Sequence, residues 1–167
     1  VAARYDKIHL FCFDDGQQHY DEGKTLLRGS QPSAFELTDR QGERWRVGLS
    51  ICYDLRFPEL FRQLSTPKAC DLFVLPAAFT YTTGLAHWAL LLRARAVENL
   101  CHVLACGQGG THLNGRRTFG HSMALNPWGE VLALLDEGEG VVLATLDRER
   151  QAVWRQQLPA LQHRVLD

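Results

Sequence analysis

The sequence predicts an α/β fold in a single domain, residues 1–167, because strand-like and helical segments alternate through short loops. Two pieces predict hairpin turns that add antiparallel strands, TDRQGERW at 38–45 and NPWG at 126–129. With 46% apolar and 22% charged residues, the composition is typical of a globular domain that buries a core. The sequence shows no repeat, linker or low-complexity segment, which favours one domain.

The order of the elements follows from apolar periodicity and from the positions of Gly and Pro. Strands are predicted at 1–6, 34–38, 44–51, 70–75, 101–106, 120–125, 130–135 and 141–146. Helices are predicted at 57–64, at 85–99 and from about Asp147 into the tail. Pro58 suits a first helical turn, and the 85–99 segment is apolar around most of its circumference, which indicates a buried helix.

Charge and hydropathy narrow the classes of partner. The net charge is -1 and no basic run occurs, so neither nucleic acid nor an anionic membrane is expected as a partner. No run of about 18 apolar residues and no signal-type apolar core are found, which favours a cytoplasmic protein. The expected partner is a small molecule.

The five cysteines form no CxxC pair and no regular framework, so reduced thiols are expected. Cys70 and Cys101 open the apolar runs CDLFVLP and CHVLACG, which predicts that both lie in the core. A zinc site built from Cys101, Cys106 and His121 would match no usual ligand spacing. The sequence therefore predicts no metal site.

Cys52 differs from the other cysteines because it ends an apolar strand and is followed at once by a predicted helix, in VGLSICYDLRFPEL at 47–60. Free backbone N–H groups and the helix dipole at such a position favour a thiolate, the reactive form of cysteine. The same N–H groups suit an oxyanion formed when a thiolate attacks a carbonyl or nitrile carbon. The alternative is a buried residue at the end of a strand.

Four stretches decide between these readings. The segments YDKIHLF (5–11), GLSICYDLRFPE (48–59), LPAAFTYTTGLAHWALLLRARAVEN (75–99) and GHSMALNPWGEV (120–131) occur in that order. Together they resemble the carbon-nitrogen hydrolase (nitrilase) superfamily, and most closely its branch of deaminated-glutathione and omega amidases. The resemblance implies part of a four-layer αββα sandwich and a mechanism that needs no metal and no organic cofactor.

The family's catalytic residues map onto three positions. The resemblance implies that Cys52 is the nucleophile, that Lys7 stabilises the oxyanion with the backbone N–H of Tyr53, and that Glu22 positions lysine or substrate. Lys7 would otherwise be a solvated surface charge, and Glu22 a loop carboxylate. The general-base glutamate belongs to a segment upstream of the lysine motif, so the chain is expected to be the C-terminal part of a longer protein.

The residues flanking the nucleophile are the expected substrate contacts, namely Tyr53, Arg56, Phe79, Thr80 and Thr83. Arg56 would bind a substrate carboxylate or form a salt bridge with Asp54 or Glu59. The expected activity is hydrolysis of a small carboxylated amide. N-carbamoyl amino acid hydrolysis, nitrile hydrolysis and a non-catalytic scaffold are the alternatives, and the resemblance implies a homodimer.

Overall fold

The described part of the chain contains three helices and ten strands. A computed structural model describes residues 1–14, 16 and 19–166. In chain order the elements are β1 (Cys12–Asp14), β2 (His19–Asp21), β3 (Ser33–Thr38), β4 (Arg44–Leu49), α1 (Pro58–Leu64), β5 (Leu72–Ala77), α2 (Tyr81–Asn99), β6 (His102–Gly107), β7 (Gly109–Thr111), β8 (Arg117–Phe119), β9 (Ser122–Leu125), β10 (Val131–Leu135) and α3 (Arg148–Gln157). Two 3-10 turns, Glu22–Lys24 and Cys52–Arg56, complete the set.

Six strands form one mixed sheet in the order β10-β9-β6-β5-β4-β3. The three central strands β4, β5 and β6 are parallel, and the hairpins β3–β4 and β9–β10 extend the sheet on both sides with antiparallel strands. Helices α1 and α2 are the connections between the parallel strands. Two small hairpins, β1–β2 and β7–β8, stand outside this sheet. The predicted α/β class is confirmed.

The main core lies between the sheet and the helices α1 and α2. Phe61, Phe73, Trp88 and Leu92 are at most 1% exposed there, so the helix predicted at 85–99 buries one face in the core, although it is not buried all round. A smaller apolar cluster, Trp45, Val47 and Leu72 with four partly buried neighbours, lies apart from it. None of the helices in the described ranges combines the length and apolarity that crossing a bilayer requires.

Helix α3 closes the amino-terminal end of the parallel strands. Gln151 donates to the carbonyls of Asp71 and Leu100, which precede β5 and β6. Arg155 donates to Leu100 as well, and its Nη1 lies 3.0 Å from Oδ1 of Asp71. The carboxyl-terminal end of the same strands is left to the loops that carry the predicted site residues.

Two predicted strands are wrong. A strand needs a neighbour for its N–H and C=O groups, and neither 1–6 nor 141–146 pairs with any strand in the described residues. The hairpins β1–β2 and β7–β8 were not predicted, because their strands are three residues long. Helix α2 begins at Tyr81 rather than at 85. The other predicted strands and helices are confirmed to within three residues at their ends.

Candidate active site

A cavity of about 650 Å³ opens at the carboxyl ends of the parallel strands. All eight residues that sequence analysis selected line it, namely Lys7, Glu22, Cys52, Tyr53, Arg56, Phe79, Thr80 and Thr83. They come from the loop before β1, the two 3-10 turns, the segment that joins β5 to α2 and the first turn of α2. The volume lies within the range of small-molecule sites, roughly 300–1,000 Å³.

Cys52 opens the 3-10 turn that follows β4, and its backbone adopts a left-handed conformation with φ +50°. Burial raises the pKa of the Cys52 thiol above its ordinary value, while the charge of Lys7 and the backbone N–H of Ala78 lower it. The sequence predicted that the turn lowers the pKa of Cys52 and so stabilises its thiolate. The pKa is raised instead, so this prediction is wrong. Desolvation disfavours the charged form more strongly than its neighbours favour it, and the turn is a single short 3-10 element rather than a long helix.

Lys7 and Glu22 form an ion pair inside the cavity. The side chain of Lys7 is 10% exposed, so it is not a solvated surface charge. Oε2 of Glu22 also accepts a hydrogen bond from the N–H of Phe11 at 2.7 Å, and the carbonyl of Lys7 accepts one from Gly29 at 2.8 Å. The Glu22 carboxylate is thus held by two partners, and Lys7 is fixed by this ion pair and by its backbone contact, which suits a fixed ammonium beside the thiol.

Asp54, which sequence analysis did not select as functional, links the lysine segment to the cysteine turn. Its side chain is fully buried and accepts hydrogen bonds from the hydroxyl of Tyr5 at 2.8 Å and from the N–H groups of His9 and Ile51 at 3.0 and 2.9 Å. Burial and the Asp54 carboxylate raise the pKa of Tyr5. The sequence feature that could have indicated this role is the position of Asp54 in the cysteine motif, two residues after Cys52.

Arg56 does not form the predicted alternative salt bridge. In the described part of the chain no carboxylate lies within ion-pair distance of its guanidinium. The Asp54 carboxylate accepts hydrogen bonds from other donors, and Glu59 is exposed. The guanidinium carbon lies 5.2 Å from the ring centre of Phe79, and Nη1 lies 3.3 Å from Nδ1 of His87. Among the described residues its charge is therefore not paired with a carboxylate.

The remaining predicted contacts shape the wall between β5 and α2. The hydroxyls of Thr80 and Thr83 lie 2.5 Å apart at the start of α2. Phe79 is 5% exposed and packs on Trp88 of the core. The ring of Tyr53 contacts Phe11 edge to face at 5.1 Å, so one side of the cavity is aromatic.

Arg116 is the lining residue that sequence analysis missed most clearly. It follows the turn of the β7–β8 hairpin and donates from Nη2 to the carbonyl of Ala78 at 2.8 Å. Arg116 lies in none of the motifs that sequence analysis selected, and nothing in the neighbouring sequence indicates that the hairpin folds back over the cavity. The other lining residues not predicted are Phe11, Leu26, Ile51, Pro76, Ala77, Ala78, Cys106 and Gln108.

No metal centre is assembled from the described residues, since no three His, Cys, Asp or Glu side chains cluster as ligands in them. Cys101 is buried in the core, whereas Cys106 is exposed. Cys70 is also buried, as predicted, and Cys12 is exposed.

Comparison with known proteins gives the same family throughout. The family model described as carbon-nitrogen hydrolase matches residues 1–156. The deaminated glutathione amidase of Synechocystis sp. is 47% identical over 165 residues, which cover 98% of this chain and 59% of that protein. The human omega-amidase NIT2 is 42% identical over 168 residues, which cover 100% of this chain and 59% of that protein. The crystal structure of the C. elegans NitFhit protein is 40% identical, with a TM-score of 0.87, and the match covers 98% of this chain and 39% of that one.

The chain spans about 59% of the length of these two amidases. The origin of residues 1–167 as the C-terminal part of a longer protein stays a prediction.

Proposed function

The chain belongs to the carbon-nitrogen hydrolase family, and on that premise we propose that it hydrolyses the amide bond of a small carboxylated compound through a thioester on Cys52. The observation that carries the proposal is the shared cavity of Cys52 and the Lys7–Glu22 ion pair. A thiol, an ammonium and a carboxylate in one cavity are the groups that cysteine-dependent amide hydrolysis uses.

In the proposed reaction Sγ of Cys52 forms a bond to the amide carbon. Lys7 and the N–H of Tyr53 donate to the oxyanion, and Glu22 acts as a positioning residue that holds Lys7. The carbon–nitrogen bond then breaks, the nitrogen departs with the proton of the thiol, and water cleaves the thioester. The resemblance assigns the proton transfer to a glutamate upstream of the lysine motif, and that assignment stays a prediction.

Glu36, Glu43 and Glu59 do not line the cavity and are not candidates for this base. Glu36 lies 2.9 Å from Nζ of Lys68, and both Glu43 and Glu59 are exposed. Among the described lining residues Glu22 is the sole carboxylate.

Arg56 is the proposed partner of the substrate carboxylate. Its guanidinium has no carboxylate within ion-pair distance in the described residues and lies over the rings of Tyr53 and Phe79, while Thr80 and Thr83 line the same cavity. The names of the similar proteins, deaminated glutathione amidase and omega-amidase, support an amide of a carboxylic acid. Arg56→Lys keeps the charge but loses the planar fork, so we expect a higher KM for such an amide.

The test is ammonia release from succinamic acid, an N-carbamoyl amino acid and an aliphatic nitrile by the product of the complete gene. We expect the amide to be turned over fastest and Cys52→Ser to abolish turnover. Cys12→Ser is the matched control, because Cys12 is an exposed thiol outside the cavity. Faster turnover of the N-carbamoyl amino acid would favour an N-carbamoyl amino acid hydrolase. Ammonia release that persists in Cys52→Ser would contradict the thioester mechanism. Absence of turnover would favour a non-catalytic module.

A homodimer in the cytoplasm is part of the same proposal. Helix α2 keeps Leu85, Leu90 and Val97 46–69% exposed, and a protein contact on this helix would remove their apolar surface from water, which supports the proposal. Sedimentation at micromolar concentration is expected to give twice the monomer mass. A monomer would contradict the dimer without bearing on the chemistry.

A further inference from the structure

The lysine segment, residues 5–11, is held by side chains, because it pairs with no strand within the described residues. Glu22 holds the ammonium of Lys7 itself. Two residues further along the chain, the backbone N–H and the ring of His9 bind Asp54 of the cysteine turn. The position of Lys7 relative to the thiol therefore depends on a contact that Lys7 does not make.

His9 contacts the cysteine turn, Cys52–Arg56, in two ways. Its Nδ1 lies 2.8 Å from Oδ1 of Asp54, and its backbone N–H donates to the same oxygen at 3.0 Å. Its ring stacks on Phe57, the residue after the turn, with ring centres 3.7 Å apart and planes 6° from parallel. A carboxylate only accepts hydrogen bonds, so Nδ1 carries the hydrogen here.

The carboxylate of Asp54 is a rigid link between His9 and the nucleophile. Its side chain is fully buried, whereas that of His9 is 25% exposed. Oδ1 faces His9, and Oδ2 accepts from the N–H of Ile51 at 2.9 Å and from the hydroxyl of Tyr5 at 2.8 Å. Ile51 directly precedes Cys52. The two oxygens of one carboxylate thus set the spacing between His9 and the start of the cysteine turn.

The thiol of Cys52 responds to the position of Lys7. Burial raises the pKa of Cys52, and the charge of Lys7 is the strongest influence that lowers it. Among the other charged groups that act on the thiol, Glu22 raises this pKa and Arg116 lowers it. If Lys7 moved away from the sulfur, the pKa of the thiol would therefore rise further.

Resting on the proposed function, we propose that His9 is a positioning residue that acts through Asp54 to hold the ammonium of Lys7 where it donates to the oxyanion formed at Cys52. His9 does not line the cavity, so it touches neither the substrate nor the reacting atoms. Its role is to keep the hydrogen on Nδ1 directed at the carboxylate, and it transfers no proton in the reaction.

The test compares His9→Asn with His9→Leu in the product of the complete gene. The two new side chains have nearly the same size and shape, but only asparagine donates to the carboxylate of Asp54. Alkylation of Cys52 by iodoacetamide is followed by peptide mass spectrometry across a pH series that extends above the ordinary thiol pKa of about 8.5. Cys12 is the internal reference, because it is an exposed thiol outside the cavity.

We expect the alkylation profile of Cys52 to move to higher pH in His9→Leu and to stay near that of wild type in His9→Asn. The reason is that iodoacetamide reacts with the thiolate, and a close opposite charge lowers a pKa by about 1–3 units, part of which is lost when Lys7 shifts. His163→Leu, at an exposed histidine, is the control and should keep the wild-type profile.

Hydrolysis of succinamic acid gives the second measurement. We expect kcat to fall roughly ten- to hundredfold in His9→Leu with KM changed by less than about threefold, because the oxyanion exists only in the transition state. His9→Asn should recover most of this loss. Thermal unfolding shows which variants are folded. If His9→Leu does not fold, His9→Phe takes its place, since it keeps the stacking on Phe57 and lacks the donor.

Equal losses of kcat in His9→Asn and His9→Leu would mean that His9 only packs against the turn, and this would overturn the assignment. An unmoved alkylation profile or an unchanged kcat in His9→Leu would overturn it as well. Alkylation needs no turnover, so the two proposals fail separately. A shifted profile in a protein that hydrolyses no amide contradicts the proposed function alone, whereas Cys52-dependent hydrolysis with identical profiles contradicts the role of His9 alone.

Discussion

At the scale of single residues, Asp54 is the group on which the site geometry depends most. Both carboxylate oxygens of Asp54 accept hydrogen bonds, from donors on Tyr5, His9 and Ile51. Asparagine replaces one of these oxygens with an NH2 group, which would face at least one of the donors without accepting from it. We expect Asp54→Asn to lose about 2–4 kcal/mol of the free energy of unfolding. A lower kcat is expected in the remaining folded protein, because the lysine segment is no longer tied to the cysteine turn.

Denaturant unfolding and ammonia release measure the two effects of Asp54→Asn. Asp136→Asn is the control, because Asp136 is an exposed aspartate. If both variants unfold at the same denaturant concentration, the buried carboxylate does not hold the two segments together.

His102 gives a second residue-scale prediction. It is 1% exposed, Nδ1 has no hydrogen-bond partner, and burial lowers its pKa. The unfolded chain therefore binds this proton more readily than the folded one. The contribution of neutral His102 to stability is complete above the unfolded pKa of about 6.5 and is lost as the pH falls through that value towards the lower folded pKa.

The measurement is the free energy of unfolding of wild type and His102→Gln between pH 7 and pH 5. We expect the wild-type slope to exceed that of the variant by up to about 1.4 kcal/mol per pH unit, the value for one proton. His163→Gln, at an exposed histidine, should keep the wild-type slope. Parallel slopes for wild type and His102→Gln would contradict the argument.

The sequence predicted the reactive groups better than the groups that support them. Lys7 and Cys52 stand in motifs whose chemistry is local, and both line the cavity. Asp54 and Arg116 act through contacts across 45 and 38 residues, which no local pattern reports. The direction of the Cys52 pKa also escaped prediction, because burial is a property of the whole fold.

At the scale of elements, the contact between α2 and the β7–β8 hairpin depends on Gly84. A Cβ built there would lie 2.4 Å from the side chain of Phe119. We expect Gly84→Ala to lose about 1–3 kcal/mol of the free energy of unfolding, because overpacking outweighs the helix propensity of Ala. Thr82→Ala, at an exposed position of the same helix, is the control. A more stable Gly84→Ala protein would show that the hairpin moves aside freely.

Gly84 also explains why the start of α2 was predicted late. Glycine has low helix propensity, so a helix predicted from the sequence begins after it. In the fold, the close contact with Phe119 compensates for the low propensity of Gly84. The central strands β5 and β6 were predicted because continuous apolar runs are typical of strands buried on both faces. The hairpins β1–β2 and β7–β8 have three-residue strands, and period-two alternation cannot be recognised over that length.

At the scale of the whole molecule, the cavity draws its walls from segments spread from Lys7 to Arg116. It exists only where the parallel sheet has brought the carboxyl ends of β5 and β6 side by side. The family and the α/β class could be predicted because motifs and the order of strands and helices are visible in consecutive residues of the sequence. The closing of the cavity by a distant hairpin could not, since it depends on packing between elements far apart in sequence.

The left-handed backbone at Cys52 has a consequence for how stability and function are balanced. A φ of +50° disfavours every side chain with a Cβ, and glycine alone adopts it freely. We expect Cys52→Gly to be about 1 kcal/mol more stable to denaturant than Cys52→Ala, although both are inactive. Equal stability of the two would contradict strain at this position. Glycine at position 52 would thus give a more stable protein than the cysteine proposed as nucleophile. Selection for folding stability alone would therefore remove the thiol.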